Sequence, residues 1–522
     1  MTDQSYDWVI YNANVITMDP NRESAEIIGI KGDKFSFIGE DKSKITEKAI
    51  FEFDAEGKTI IPGFIDLHTH LWKEAHIISI DLGSYQTYEA VIKKLETEVR
   101  TRKPGEWVFA SNWDESKWKD RKEFLTRDAL DEISPQNPVY THREDGHLVV
   151  VNSLALEKLL ISNSDPGVDK DSTGKPTGIL KDVWLDLTPY YQEKIPESIE
   201  ISCNIAASKG ITSAVDNLTI MPSGQRNLMS AYFQLDIEER LPIRVFLNPT
   251  RELLDEFTKL GLIRNWGSSK LRFSGFKGFF DGALGAHTAL ISLPYNDAEG
   301  NGDQFLDENE LVSQIVFAEE NNYTLCIHAI GDLAIEKLLS CYEKGIKETG
   351  KDLTTLKHRI EHAEMITDTQ IRKARDLGII LSMQPNFLKW EHPGELYETR
   401  LGEERFMSLN RYATILQQGA ILCFGSDNMP LSPLYGIQQA ISFPKSNVKI
   451  SIMEAIQAYT LNNARALFME SKLGSITKGK YADFVILSKS PLEIALEELD
   501  DSLIESTIVG GELIYSLEHF TK

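Results

Sequence analysis

The sequence predicts an α/β fold: a (β/α)8 TIM barrel with a small β-sandwich domain built from both termini and a large insertion after the first barrel strand. Three observations predict it. Apolar, strand-like runs alternate with helical patterns through the middle of the 522 residues. The first 60 and the last 50 residues share a different texture of short strands and turns. About 140 residues separate the first two strand-like runs, where one βα unit of a barrel takes roughly 30.

Taken in order, Trp8–Met18 alternates apolar and polar residues, and Ile27–Ile30 and Phe35–Ile38 flank Lys31-Gly32-Asp33-Lys34, a hairpin turn. The expected barrel strands are Thr59–Asp66, Ile211–Asp216, Ile243–Leu247, Arg272–Phe280, Thr324–His328, His358–His362, Ile379–Met383 and Ile421–Gly425. Helical patterns run through Glu308–Asn321, Ala334–Thr349 and Thr367–Leu377. No GxGxxG follows the first strand, which argues against an open doubly wound sheet. Phe484–Leu487, Ser506–Val509 and Leu513–Tyr515 read as closing strands, with a turn at Gly510-Gly511. The expected divisions are therefore 1–60 with 473–522 for the terminal domain, 61–472 for the barrel, and 72–200 for an inserted cap. The cap carries Trp107, Trp113 and Trp118 and a stretch at Pro135–Pro138.

Hydrophobic residues make up 42% and charged residues 26%, the balance of a globular chain rather than a disordered or fibrous one. No apolar run is long enough for a transmembrane helix. The first residues lack a basic segment followed by an apolar one, so the expected address is cytoplasmic. With 55 basic against 79 acidic residues, the net charge of −24 repels polyanions, which excludes nucleic acid and anionic membrane as natural partners. A small-molecule substrate is the expected partner, and homo-oligomerisation is left open. Four cysteines without a CxxC pair fit a reducing compartment.

The sharpest chemical signal is Pro62-Gly63-Phe64-Ile65-Asp66-Leu67-His68-Thr69-His70, an apolar strand ending in His-x-His. Alternate residues of a strand face the same way, so both imidazoles can grip one ion at the C-terminal end, where barrels carry their active sites. Other strands end at His328, His362 and Asp427. Imidazoles with a carboxylate form a ligand set for Zn²⁺ or a similar divalent metal. His358, four residues before His362, falls at the other end of its strand and reads as structural; His76, His392 and His519 stand outside any motif. In the insert, His142, Asp145 and His147 are placed to hold substrate if their loop returns over the barrel mouth. Asp281 and His287 after the fourth strand, and Gln384 after the seventh, are further substrate-binding candidates.

Together these motifs resemble the amidohydrolase superfamily, in its amidohydrolase-3 or YtcJ-like branch. The resemblance rests on PGFIDLHTH, DGHLVVVNSLAL at Asp145–Leu156, GKPTGIL at Gly174–Leu180, FKGFFDGALGAHTA at Phe276–Ala289, CIHAIGD, HRIEHAE, GSD, and LGSITKGKYADFVIL at Leu473–Leu487, in that order. It implies one or two metal ions. His68 and His70 with Asp427 would hold the more buried ion, and His328 and His362 the second. Lys277 falls where many members carry a carboxylated lysine that bridges two ions. The branch often has Arg where His287 stands, a departure in this chain.

The function expected is metal-dependent hydrolysis of a C–N bond in an amide, formamide or cyclic amide. A metal lowers the pKa of bound water towards 7. Asp427 is the expected general base, passing the proton on to the leaving nitrogen. The alternatives are a deaminase, an ester, lactone or phosphotriester hydrolase on the same centre, or a non-catalytic metal-binding barrel. The strand-eight carboxylate favours catalysis over the last.

Overall fold

The computed structural model describes residues 5–45, 47–74, 79–162, 164–183, 185, 187–219, 222–351 and 356–517. Eight consecutive parallel positions form the barrel. They are Phe64–Thr69, Ile211–Asn217, Arg244–Asn248, a fourth strand interrupted between Leu271–Phe273 and Phe276–Phe279, Leu325–Ala329, Arg359–His362, Ile380–Met383 and Leu422–Phe424. Parallel register runs from Phe64↔Ile211 through Ser213↔Arg244, Val245↔Leu271, Phe276↔Leu325, Cys326↔Arg359 and Arg359↔Ile380 to Leu381↔Leu422. A bridge between Thr250 and Lys277 spans the interruption. The last strand returns to the first, where the Asp427 N–H donates to the His68 carbonyl (2.8 Å). Gly425 permits that approach: a Cβ there would stand 2.6 Å from the His68 nitrogen. Apart from half-buried Arg272 and Phe279 the strands are buried, which is why they read as apolar runs rather than alternating ones.

The helical readings hold in place. Glu308–Glu320 starts from an Asp307 cap, and Asp368–Asp376 from a reciprocal capping box of Thr367 and Gln370. Their apolar faces join the strands in one large core. No helix among the described residues is long and apolar enough to cross a membrane.

The expected first strand, Thr59–Asp66, is in fact two. Thr59–Pro62 pairs antiparallel with Phe484–Leu487 and parallel with Asn14 and Val15, in a sheet of both chain ends. Only Phe64–Thr69 enters the barrel. The apolar run carries no polar break to mark the change. The hinge is Gly63, where a Cβ would lie 2.2 Å from Thr212 Oγ1. The two sheets built from the termini, one of four strands and one of six, share a core that includes Ile10, Ile28, Phe35, Val15, Ile60 and Phe484. Arg244 ties this region to the barrel through a bidentate pair with Asp483 (2.7 and 2.9 Å).

Between the first two barrel strands lies a six-stranded sheet, with strands from Ile80–Asp81 to Pro176–Lys181. Helices Tyr88–Val99 and Arg127–Ile133 pack on it over a separate core in which Trp113 and Trp118 are buried. Inside residues 72–200, the helix Ile195–Ser208 packs with the barrel core instead, and Ser198 Oγ donates to the Trp72 carbonyl (2.6 Å).

Candidate metal centre

The first-strand motif places His68 inside the barrel and His70 one residue beyond the strand end. The Nδ1–H of His68 donates to Glu361 Oε2 (2.7 Å), and that of His70 to the Asn217 carbonyl (3.0 Å). Both Nε2 lone pairs therefore point inward. His68 Nε2 lies 3.9 Å and His70 Nε2 3.2 Å from Asp427 Oδ1. Lone pairs converging on a carboxylate oxygen repel unless a proton or a cation sits among them. His328 donates through Nε2 to the Gly282 carbonyl (3.0 Å), which leaves its Nδ1 as the acceptor. Its ring stands 4.4 Å from that of His362, which stands 4.8 Å from that of His68. Single ligand atoms of His68, His362 and Asp427 lie within 4.8 Å of one another. Asp427 Oδ1 and His362 Nδ1 are buried without a hydrogen-bond partner among the described residues.

Electrostatics give these groups the protonation states that cation ligands need. Burial holds His328 and His362 well below the usual imidazole range, and burial with the nearby Lys277 lowers His68 against the pull of Asp427 and Glu361. Burial works against ionised Asp427, but the adjoining His68 and His70 outweigh it and hold the carboxyl below its ordinary value. Glu361 is likewise held low by Arg359 and His68 against its burial. Lys277 Nζ lies 3.3 Å from His68 Nε2, and burial pushes its ammonium down to about 8. His362 and Asp427 also adopt left-handed backbone angles (φ 74° and 53°), a strained conformation for such residues.

A cavity of about 520 Å³ opens from this cluster between the barrel and the insert. His142, Asp145 and His147 line it. His147 Nδ1–H donates to Asp182 (2.5 Å), and that carboxylate raises the imidazole's pKa against the effect of burial. Asp145 also pairs with buried Arg143 (2.5 Å).

Three expected substrate contacts are not in this lining. Asp281 is buried and accepts the backbone N–H groups of Leu290, Ile330 and Gly331 at 2.8–3.0 Å, which makes it an anchor for loops. His287 turns outward to Asp297 (3.0 Å) and the Tyr295 ring. Gln384 is buried and donates to the Ser382 carbonyl. Each follows a strand in sequence, but the loop geometry that decides where it points is not written in the spacing. His358 accepts the Leu325 N–H (3.0 Å) at the opposite strand end. His392 is exposed beside Phe443, and His76 and His519 lie outside the described residues. The sequence reading gave no role to Glu361 or Asp182. Glu361 could have been found from its place beside His362, because a carboxylate backing an imidazole ligand is a recurring need of metal sites. Asp182 pairs across 35 residues and had no such signal.

A model of the amidohydrolase family matches residues 52–515. The chain belongs to the amidohydrolase family. It is an enzyme, a metal-dependent hydrolase of that family. It is 29% identical to the protein YtcJ of Bacillus subtilis over 499 residues, covering 91% of this chain and 92% of that one. It is 27% identical to an N-substituted formamide deformylase of Arthrobacter pascens over 549 residues, covering 98% and 99%. Among solved structures it resembles a metal-dependent hydrolase of Pyrococcus horikoshii, with a TM-score of 0.74, 25% identity, and coverage of 94% and 99%.

Proposed function

We propose that the protein hydrolyses the C–N bond of an N-substituted formamide or similarly small acyl amide, with one or two Zn²⁺ or related ions at the barrel mouth. The observation that carries this reading is the convergence of His68, His362 and Asp427 at the barrel end. The coverage of an N-substituted formamide deformylase over nearly its whole length supports the bond class. His68, His70 and Asp427 would hold one ion, and His328 and His362 a second. Lys277 would bridge them as a carbamate, which its burial favours by lowering the ammonium's pKa to about 8. A bound divalent ion supplies Lewis acidity towards water and the amide carbonyl.

The chain's own groups do the rest. Glu361 and the Asn217 carbonyl fix the tautomers of His68 and His70, so that both Nε2 atoms stay free of protons. Asp427 Oδ1, ionised at neutral pH, takes the proton of the attacking water and returns it to the departing nitrogen. His147, braced by Asp182, orients the substrate from the insert side. Residues 1–60 with 473–522 act in this reading as one sandwich domain, 61–472 as the barrel and 72–200 as the cap. The pairing of Thr59–Pro62 with Phe484–Leu487 supports the first of these.

The test is elemental analysis of protein reloaded with Zn²⁺, Mn²⁺ or Co²⁺, followed by assay of formamides and other small amides by amine release. Stoichiometric metal with amine release is the expected result. Protein that binds no metal, or loaded protein that cleaves esters but no amide, would sink the reading.

A further inference from the structure

The cavity between barrel and insert is lined by charged side chains, and beyond the metal cluster all but one of them are matched. Glu144 pairs with Lys389 and with Lys117 (2.6 Å). Asp145 is held by Arg143 (2.5 Å), and Asp182 by His147 (2.5 Å). Asp81 accepts the Gly83 N–H (3.1 Å) and a proton of the Asn112 amide (3.0 Å), and Glu74 one of the Asn428 amide (2.7 Å). The exception is Lys73, in the single helical turn Leu71–Lys73 that follows His70. Among the described residues no hydrogen bond or ion pair reaches its Nζ, which lies 5.1 Å from the centre of the Trp72 ring. The carboxylates whose charge it feels are committed elsewhere. Asp216 accepts the Leu71 N–H (2.9 Å) and the Tyr232 hydroxyl (2.5 Å), and Asp427 stands in the cluster. The Lys73 side chain is open to the cavity, yet the protein around it still pushes its pKa below the ordinary lysine value. Tyr140 lines the same cavity from the insert, and its hydroxyl has no hydrogen-bond partner among the described residues. Burial raises the pKa of that phenol, which keeps it a donor. Its ring stacks with that of His142 at 6.1 Å. Burial first, and then the Lys73 charge, hold His142 neutral, which sets the ammonium within electrostatic reach of this pair.

An ammonium and a hydroxyl, both without a protein acceptor, are the groups a carboxylate needs: one attracts and donates, the other donates. A neutral substrate that displaced water from Lys73 would leave its charge desolvated and unpaired, which is costly. A dianion fits less well than a monoanion, because one ammonium faces a cavity that also holds the carboxylates named above, in a chain of net charge −24. Resting on the amide reading above, we propose that Lys73 and Tyr140 form a carboxylate subsite. The substrate is then an amide whose flank under the insert carries a carboxylate, with the scissile bond at the metal cluster.

Matched amides test this with the metal-loaded, full-length protein. Both enantiomers of N-formyl-leucine are compared with N-formyl-3-methylbutylamine, which lacks only the carboxylate, and N-methylsuccinamate is compared with N-methylbutanamide. In one of these comparisons the acid should exceed its neutral partner in kcat/KM by about 10-fold or more, the worth of a hydrogen bond to a charged group. Lys73→Met should bring that ratio to about one, and Lys73→Arg should keep most of it. Tyr140→Phe should reduce the ratio by less than Lys73→Met does. Neutral amides turned over as well as the acids, or a ratio that survives Lys73→Met at full metal content, overturns the proposal. Calorimetric titration with 4-methylpentanoate separates the subsite from the reaction. It should bind the unaltered protein at least about 10-fold tighter than Lys73→Met at equal metal content, a comparison in which ligation of the metal by the carboxylate cancels. Silence of all the amides with that binding difference intact rejects amide hydrolysis and keeps the subsite. Equal binding to the two proteins rejects the subsite whatever the turnover. A larger Lys73-dependent gain for methyl phosphate than for 4-methylpentanoate gives the subsite to phosphate esters and overturns the carboxylate.

Discussion

The barrel wall of the cavity and the insert wall hold their side chains by different means. On the barrel side, His68, His362 and Asp427 sit at strand ends whose backbones are fixed by parallel ladders and by the Asp427–His68 closure. Their partners are themselves buried: Glu361 is clamped by Arg359 (2.8 Å) as well as by His68. On the insert side, His142 and His147 lie at the end of a sheet with its own core. That sheet meets the barrel through polar contacts: the Lys389–Glu144 ion pair and Trp390 Nε1–H donating to Asp114 (3.2 Å). The lesson is a division of labour. In the function proposed above, the groups that would hold the metal are on the closed barrel, and those that would meet the variable part of a substrate are on an element that can be altered without disturbing it.

The strongest way to break this comparison is to remove ligands from the barrel side. His68→Ala combined with His362→Ala should abolish turnover and strip most of the metal, measured by elemental analysis; retained metal would relocate the centre. Asp427→Asn should lower turnover by about 10²–10⁴ at full metal content, the usual worth of a positioned base. Near-normal turnover in metal-replete protein would hand the proton transfer to another group. Glu361→Gln removes the charge behind His68 and should weaken metal affinity by about 10–100-fold, read by competition with a chromogenic chelator.

The insert side should respond differently. His142→Ala should leave metal content intact and raise KM more than it lowers kcat, with a total effect of about 10-fold. Loss of metal in that variant would erase the distinction between the walls. The smallest expected effect concerns stability alone. Burial pushes His358 down from 6.5 to about 3, so the unfolded chain binds a proton that the folded one refuses between those values. Its contribution is complete above pH 6.5 and is lost as pH falls towards 3, by up to about 1.4 kcal/mol per pH unit. His358→Gln should flatten the denaturation-midpoint profile by that slope in that window and leave activity at neutral pH unchanged.

The sequence by itself determined the barrel and which polar residues stand at the ends of its strands. Strands buried on both faces must be continuously apolar, and a histidine or aspartate ending such a run stands out against it, as His68, His328, His362 and Asp427 do. It also determined that roughly a hundred residues intrude after the first strand, because chain length between strands is countable. Tertiary structure decided what depends on loop direction and long-range pairing. Gly63 divides one apolar run between two sheets, at a point where Thr212 leaves no room for a side chain. Asp281, His287 and Gln384 occupy the expected positions along the chain yet turn into the loops or outward. Glu361 and Asp182 acquire their roles from partners 293 and 35 residues away. A side chain's periodicity reports which face of its own element it occupies, whereas its partner across the cavity is set by how separate elements pack, and no local pattern encodes that.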